Sequence, residues 1–268
     1  MLELVVLGIV QGLTEFLPVS STAHLLFAEH YLGIRRPGLA LEAVLHLGTA
    51  LAAIVLFWPD VVRLVRGGWS LVRRSGAEPT GPPDTFPRLA GVIVAATAVT
   101  AAVGLALASP LERMFESVRG TAYQLLLTGT VLLWNRERGR RDATDATLTD
   151  GIALGLAQAL AIVPGISRSG TTIVTGLALG LRRGEAARLS FLMAIPAIIG
   201  ASLFGLRDLG RAGRLGYTAP ELLVGFAVAA GVGAVAITWL IGLVRRGRLV
   251  VFAAYCWLVG LLVLATVR

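Results

Sequence analysis

Apolar residues run along this chain in eight blocks, at roughly 2–27, 39–58, 89–109, 121–134, 150–181, 189–206, 220–243 and 250–267. Most of the arginines fall in the stretches between them. A helix of about 20 apolar residues spans the hydrocarbon core of a bilayer, so the pattern predicts an all-α polytopic membrane protein. Two blocks are interrupted, the first at Pro18-Val19-Ser20-Ser21-Thr22 and the fifth near 164–170. Irregular backbone at membrane depth is tolerated only where protein or a water-filled cavity surrounds it.

The arginines orient the path. Arg63, Arg66, Arg73, Arg74 and Arg88 follow the second block, and Arg136, Arg138, Arg140 and Arg141 follow the fourth. Arg182, Arg183 and Arg188 follow the fifth, and Arg245, Arg246 and Arg248 follow the seventh. Cytoplasmic loops carry such excess positive charge, and placing these four sets inside makes 150–181 enter and leave from the inside. By the same logic the first block enters and leaves from the outside. The expected layout is six transmembrane helices plus two re-entrant helix pairs, arranged as an inverted repeat within one integral membrane domain, residues 1–268. Repeat one covers about 1–134, a cytoplasmic linker about 135–149, and repeat two about 150–268. Repeats of this kind place sites near the bilayer midplane. Two details fit less well: 121–134 is short for a crossing, and 207–219 puts three arginines against one aspartate on the outside.

Composition agrees. The 268 residues are 56% hydrophobic and 15% charged, against about 45–50% and about 25% in soluble domains, which excludes a water-soluble enzyme or a disordered chain. The net charge of +8 comes from arginine alone, since there is no lysine. Its distribution between apolar blocks is that of membrane loops, so no nucleic-acid partner is expected. Cys256 is the only cysteine, which rules out an internal disulfide and a cysteine zinc cluster. Met1-Leu2-Glu3-Leu4 lacks a basic leader, so no cleavable signal is expected.

The interrupted blocks hold the chemistry. Before Pro18 the pattern is helical, which puts Gln11 and Glu15 on one face. After it, Ser20 and Ser21 suit the start of a second helix, with His24 one turn beyond Ser21. The fifth block repeats the plan with Gln158, Pro164, then Ser167-Arg168-Ser169-Gly170-Thr171-Thr172. An arginine at membrane depth costs about 2.5 kcal/mol or more and needs a partner. A bound anion suits it best, because serine hydroxyls, free N–H groups at a helix start and a guanidinium together cradle a phosphate. Glu15 is the alternative partner. Glu42 and His46 form another i, i+4 pair in the second block. The carboxylate there needs a polar neighbour, whereas His46 reads as a helix-face residue and His30 as interfacial. Trp58, Trp69, Trp134, Trp239 and Trp257 read as interface anchors or core, and 76–87 as a loose cytoplasmic loop.

With these residues in view, the chain resembles the bacterial undecaprenyl-diphosphate phosphatases, the bacitracin-resistance membrane phosphatases. Gln11-Gly12-Leu13-Thr14-Glu15-Phe16-Leu17-Pro18-Val19-Ser20-Ser21-Thr22-Ala23-His24 is similar to the family's first motif, and Pro164-Gly165-Ile166-Ser167-Arg168-Ser169-Gly170-Thr171-Thr172 to its second. The resemblance implies hydrolysis of undecaprenyl diphosphate to undecaprenyl phosphate and inorganic phosphate, recycling the lipid carrier of cell-wall synthesis and conferring bacitracin resistance. It implies a multi-pass protein of the bacterial inner membrane, with its active site open to the periplasmic or extracellular side. It also implies a divalent cation, Mg²⁺ or Ca²⁺. Many members carry glutamate at the place of Gln11, and an amide neither transfers a proton nor binds a metal as a carboxylate does.

On this basis Glu15, assisted by Gln11, is expected to hold the metal. Ser20, Thr22, Ser167, Ser169, Gly170, Thr172 and Arg168 are expected to bind the diphosphate of the polyprenyl lipid. Ser21 is the candidate nucleophile with His24 as base. His24 attacking to give a phosphohistidine is the alternative. A transporter of polyprenyl phosphate headgroups is the rival class, since it shares the inverted-repeat plan. The oligomeric state is not legible.

Overall fold

A computed structural model of the chain describes residues 1–34, 39–73, 85–107, 114, 117–212 and 217–267. Among them the elements are helical. α1 (Leu2–Phe16), α2 (Ser21–Leu32), α3 (Leu39–Leu56), α4 (Trp58–Arg73), α5 (Phe86–Ala106) and α6 (Val118–Leu132) come first. A 3₁₀ turn at Ala143–Asp145 precedes α7 (Leu148–Leu160), α8 (Arg168–Ala178), α9 (Arg183–Ala212), α10 (Ala219–Arg245) and α11 (Val250–Thr266). Arg35, Arg36, Arg74, Arg113 and Arg214, and most of the loop expected at 76–87, lie outside the described residues.

The helix breaks are local consequences of sequence. Leu17, which precedes Pro18, is extended at φ −63° and ψ 143°, as a residue before proline prefers, and α1 stops there. Ser20 then caps α2. In the second interrupted block Ser167 caps α8 by accepting from the Gly170 N–H. Its partner α7 begins with a capping box in which Thr147 and Asp150 satisfy each other's backbone N–H groups. Gly33 closes α2 in the left-handed conformation, φ 65°, which glycine adopts without penalty.

α5, α9 (over Arg183–Leu206) and α10 are long and apolar enough to cross a membrane. α7 and α11 are shorter apolar helices. The second apolar block, 39–58, is α3, but the stretch after it differs from its reading as a loop. It continues as a further helix, α4, which meets α3 at a 90° bend. α4 covers residues that the sequence pattern assigns to an arginine-bearing inside stretch, because its apolar positions are interleaved with Arg63 and Arg66.

The packing of the two halves is reciprocal. α1 lies on α10, and α7 lies on α5. α3 pairs with α9, and α6 with α11. The match extends to single positions. A Cβ at Gly8 of α1 would stand 2.9 Å from the Gly225 carbonyl oxygen and 3.1 Å from Val228. A Cβ at Gly155 of α7 would stand 2.7 Å from the Ala96 carbonyl oxygen and 2.9 Å from Val99. Each glycine lies three residues before a glutamine, Gln11 or Gln158, and each contacts residues spaced by three on the other half. Such small residues let apolar helices approach to backbone contact, which is how helices associate where lipid competes for apolar surface.

The buried core surrounds the breaks. Phe16, Leu17 and Val19 belong to one apolar cluster with Leu125, Phe191 and Ile237. Phe16 meets Phe191 edge to face at 5.5 Å between ring centres.

Candidate active site

Two helix breaks, one from each half, set the site. At the first, the Val19 N–H donates to the Leu17 carbonyl at 2.7 Å, closing a tight turn. Ser20 follows at φ 66° and ψ 102°, the one non-glycine residue with positive φ among those described. A conformation of this kind costs about 1–3 kcal/mol and persists only when its surroundings impose it. Here the surroundings are visible: the Ser20 carbonyl accepts from His24 Nδ1 at 2.8 Å, and Cys256 donates to the Pro18 carbonyl at 3.7 Å. The second break is pinned from α6. Thr128 donates to the Gly165 carbonyl at 2.7 Å and accepts from the Ser167 N–H at 3.0 Å. Gly165 has φ 94°, and a Cβ there would lie 2.4 Å from the Thr121 carbonyl oxygen, so only glycine fits.

Glu15, buried at the end of α1, is the centre of the arrangement. Its Oε1 accepts from Arg168 Nη2 at 2.6 Å, across 153 residues of sequence. Its Oε2 accepts from Ser21 Oγ at 2.6 Å and from Gln11 Nε2 at 2.9 Å. His46 Nε2 of α3 stands 3.4 Å from the same oxygen. The His46 Nδ1–H donates to the Glu42 carbonyl at 2.7 Å, which fixes the direction of the ring. A carboxylate with a guanidinium on one oxygen and a hydroxyl, an amide and an imidazole on the other is fully engaged, and burial strengthens each contact. The 2.6 Å separations are those of charge-assisted hydrogen bonds.

Of the residues expected in the site, Gln11, Glu15, Ser21 and Arg168 come together directly. His24 does not meet Ser21. Its Nδ1–H donates to the Ser20 carbonyl, which leaves Nε2 to accept from the Tyr255 hydroxyl at 2.8 Å. Its ring also stacks on Tyr255, 5.6 Å between centres and 10° from parallel. The i, i+3 spacing permits a Ser21–His24 contact, but the backbone carbonyl one turn back and an aromatic ring from α11 hold the imidazole instead.

The remaining expected residues line the second break and the start of α2. Ser20 Oγ is 3.5 Å from the Ala23 N–H, and Thr22 is half-buried in the first turn of α2. Ser167 Oγ lies 3.2 Å from Ser169 Oγ, and both residues are buried. A Cβ on Gly170 would lie 3.2 Å from Ser167, so the helix start is tightly wound around that serine. Thr172 is turned away: it donates to the Arg168 carbonyl at 2.7 Å and shares a 2.7 Å contact with Ser190 of α9. It holds the helix turn that carries Arg168.

His46 is the residue that sequence reading places on a helix face and the structure places at Glu15. The available signal was its i, i+4 relation to Glu42, which draws attention to that helix but not to the ring's direction. Tyr255 carried no signal at all.

As a cation site the arrangement is partly furnished. Gln11 Oε1 is buried with no hydrogen-bond partner, beside the Glu15 carboxylate that its amide nitrogen contacts. No cluster of three His, Cys, Asp or Glu side chains occurs among the described residues. One carboxylate and one orphaned carbonyl suit a hard cation that takes its other ligands from phosphate oxygens and water, as Mg²⁺ does.

Comparison with known proteins adds a name to this geometry. The family profile described as "Bacitracin resistance protein BacA" matches residues 4–262. An undecaprenyl-diphosphatase of Methanobrevibacter smithii is 39% identical, over 98% of this chain and 96% of the relative. That of Myxococcus xanthus is 42% identical, over 100% and 89%, and that of Moorella thermoacetica 38% identical, over 98% and 97%.

Proposed function

Since the chain belongs to the bacitracin resistance protein BacA family, we infer that it is an undecaprenyl-diphosphatase. It hydrolyses undecaprenyl diphosphate to undecaprenyl phosphate and inorganic phosphate in a multi-pass membrane protein. The observation that carries the chemistry is the Ser21 hydroxyl donating to Glu15 beside Arg168.

In the proposed mechanism the isoprenoid tail stays in lipid while the diphosphate enters between the two breaks. Phosphoryl transfer demands alignment and charge neutralisation more than covalent activation. Arg168, with Ser167, Ser169, Gly170 and the N–H groups opening α8, holds phosphate oxygens, and Ser20 and Thr22 border them from α2. Ser21 Oγ attacks the terminal phosphorus as its proton passes to Glu15 Oε2. The bond to the bridging oxygen breaks, and undecaprenyl phosphate leaves with the electron pair. Protonation of Glu15 loosens its hold on Arg168, freeing the guanidinium for the transferred group. Water then attacks the phosphoserine, and the bond to Ser21 Oγ breaks to give inorganic phosphate. His24, whose Nε2 lone pair is fixed by the Nδ1–H donation to Ser20, takes the water proton, while Glu15 returns its proton to Ser21. Glu15 and Gln11 Oε1 would hold a divalent cation, Mg²⁺ or Ca²⁺, which when bound would supply further charge neutralisation at the diphosphate. This differs from a Ser21–His24 dyad in its first base, because Glu15 is the group within hydrogen-bond reach of Ser21.

The proposed membrane layout has α3, α5, α6, α9, α10 and α11 crossing the inner membrane. The pairs α1–α2 and α7–α8 re-enter from opposite sides, in repeats of about 1–134 and 150–268 joined by a cytoplasmic linker at 135–149. The reciprocal packing of α1 on α10 and α7 on α5 supports it. The site then opens to the periplasmic or extracellular side.

The deciding experiment is phosphate release from undecaprenyl diphosphate by purified protein, with Mg²⁺ and then with EDTA, followed by trapping of the phosphoenzyme. Metal-dependent release with phosphate on Ser21 is expected. Phosphate on His24 would overturn the serine mechanism. Headgroup movement across liposomes without any release would overturn the enzyme.

A further inference from the structure

Among the described residues, α4 keeps an exposed apolar face. Only Phe57 separates it from the end of α3, and it turns away from α3 by 90°, so if α3 crosses the bilayer, α4 runs along its surface. At 100° per residue its positions fall into three sectors. Val61, Leu64 and Gly67 face inward. A Cβ at Gly67 would stand 2.8 Å from the Pro87 backbone nitrogen and 2.9 Å from the Phe86 carbonyl carbon, so α4 rests directly on the start of α5. Trp58, Val62, Val65 and Trp69 make a second strip along the outside, with Trp58 58%, Val65 68% and Trp69 57% exposed. Arg63, Arg66 and Ser70 form the third sector, exposed beside that strip.

The charges are not balanced within the helix. Its one acidic residue, Asp60, is taken by Arg188 of α9, with Nε at 2.8 Å and Nη2 at 2.5 Å. Arg63 lies over the Phe86 ring, 5.4 Å from its centre, an arrangement that leaves its positive charge in place. In water the strip of two tryptophans and two valines would be exposed apolar surface. In the hydrocarbon core the arginines would be stranded. The boundary between them satisfies both, with tryptophan at headgroup level and arginine on phosphate oxygens.

We propose that α4 lies in the membrane interface and that Arg63 and Arg66 hold the headgroups of anionic phospholipids. The occupant is the bilayer's own lipid and not the substrate. Leu56, where α4 departs, is ten residues along α3 from His46, about 15 Å at 1.5 Å per residue, which is beyond the reach of a diphosphate seated at Arg168. The proposal rests on the membrane placement above and is independent of the catalytic steps.

The test is a nitroxide scan of α4 in nanodiscs on a Cys256→Ser background, with single cysteines at Val62, Arg63, Val65, Arg66 and Ser70 and a deep reference at Leu51 of α3. Accessibility to oxygen and to a nickel chelate is read in phosphatidylcholine alone and with phosphatidylglycerol added. Labels at Val62 and Val65 are expected in the lipid phase but shallower than Leu51, with labels at Arg63 and Ser70 open to nickel. Phosphatidylglycerol is expected to draw Val65 deeper, and Arg63→Gln with Arg66→Gln to remove that shift. A Val65 label as nickel-accessible as one in water, or as deep as Leu51, would overturn the interfacial placement. Equal depths in the two lipids would overturn the headgroup contact. A nickel-accessible Leu51 would instead sink the membrane placement of α3.

Discussion

The two broken helix pairs share a frame and divide the chemistry. Each has a glutamine on its first helix, a proline at the break and a serine capping the second helix, Ser20 or Ser167. Aligned on their caps, Ser21 of the first stands where Arg168 stands in the second. Aligned on their glutamines, Glu15 of the first stands where Ile162 stands in the second. The first pair therefore supplies a carboxylate and a hydroxyl, the second a guanidinium, and the pocket needs both. The glutamines diverge too: Gln11 turns its amide to Glu15, while Gln158 donates to Thr100 at 3.1 Å and ties α7 to α5. The two breaks share an order of residues while their caps differ in backbone, Ser20 at φ 66° and Ser167 at φ −81°, and their side chains differ in chemistry.

The comparison can be broken at its strongest point by Arg168→Ala. In the proposed mechanism the guanidinium neutralises the transferring phosphoryl group, and an arginine in that role is worth about 10³ or more in rate, so phosphate release is expected to fall roughly a thousandfold. Adding Glu15→Ala to it should lower turnover little further, because the two act as a unit. Turnover within a few-fold of wild type would refute the division of labour.

Ser21→Ala is expected to abolish the trapped phosphoenzyme and reduce turnover by about two orders of magnitude, whereas Ser169→Ala, one residue beyond the matching Arg168, should cost under about tenfold. Similar losses for both, measured as kcat, would mean that the hydroxyls only bind phosphate.

Gly8→Ala and Gly155→Ala test the symmetry of the frame. Each forces a methyl against a backbone carbonyl, and overpacking of this sort costs about 1–3 kcal/mol. Thermal unfolding in detergent should show the two variants lowering Tm by comparable amounts. A large effect at one and none at the other would show that the halves are packed differently.

The caps should respond with opposite sign. Ser167→Gly loses a well-formed cap and should destabilise by a few tenths of a kcal/mol. Ser20→Gly relieves a positive φ and should stabilise by about 1 kcal/mol, visible as a raised Tm. Gln11→Glu tests the glutamine that faces the pocket. A second carboxylate beside Glu15 should lower the Mg²⁺ concentration for half-maximal activity by roughly three- to tenfold.

What the sequence made legible was whatever local rules control. Pro18 stops α1, serines start the helices after both breaks, and Gln11 and Glu15 share a face by helical spacing alone. Arg168 was legible because an arginine in an apolar block needs a partner. What stayed hidden depends on distant packing. His46 reaches Glu15 only because α3 lies against α1. His24 leaves Ser21 because Tyr255 arrives from the far end of the chain. The helical character of 58–73 was masked because an interleaved arginine pattern looks the same in a loop and in an amphipathic helix. Six crossings were drawn from charge. By length and apolar character three helices meet the requirement on their own, and the bent α3–α4 pair shows why a block count alone does not give a path.

The distance of 153 residues between Glu15 and Arg168 sets a timetable for biogenesis. Ribosomes add about 5–20 residues per second, so the acid is synthesised roughly 8–30 s before its counter-ion. During that interval the nascent N-terminal half carries a carboxyl group with no guanidinium to meet it. On the proposed layout the first helix pair is therefore held only provisionally in the membrane until the second arrives.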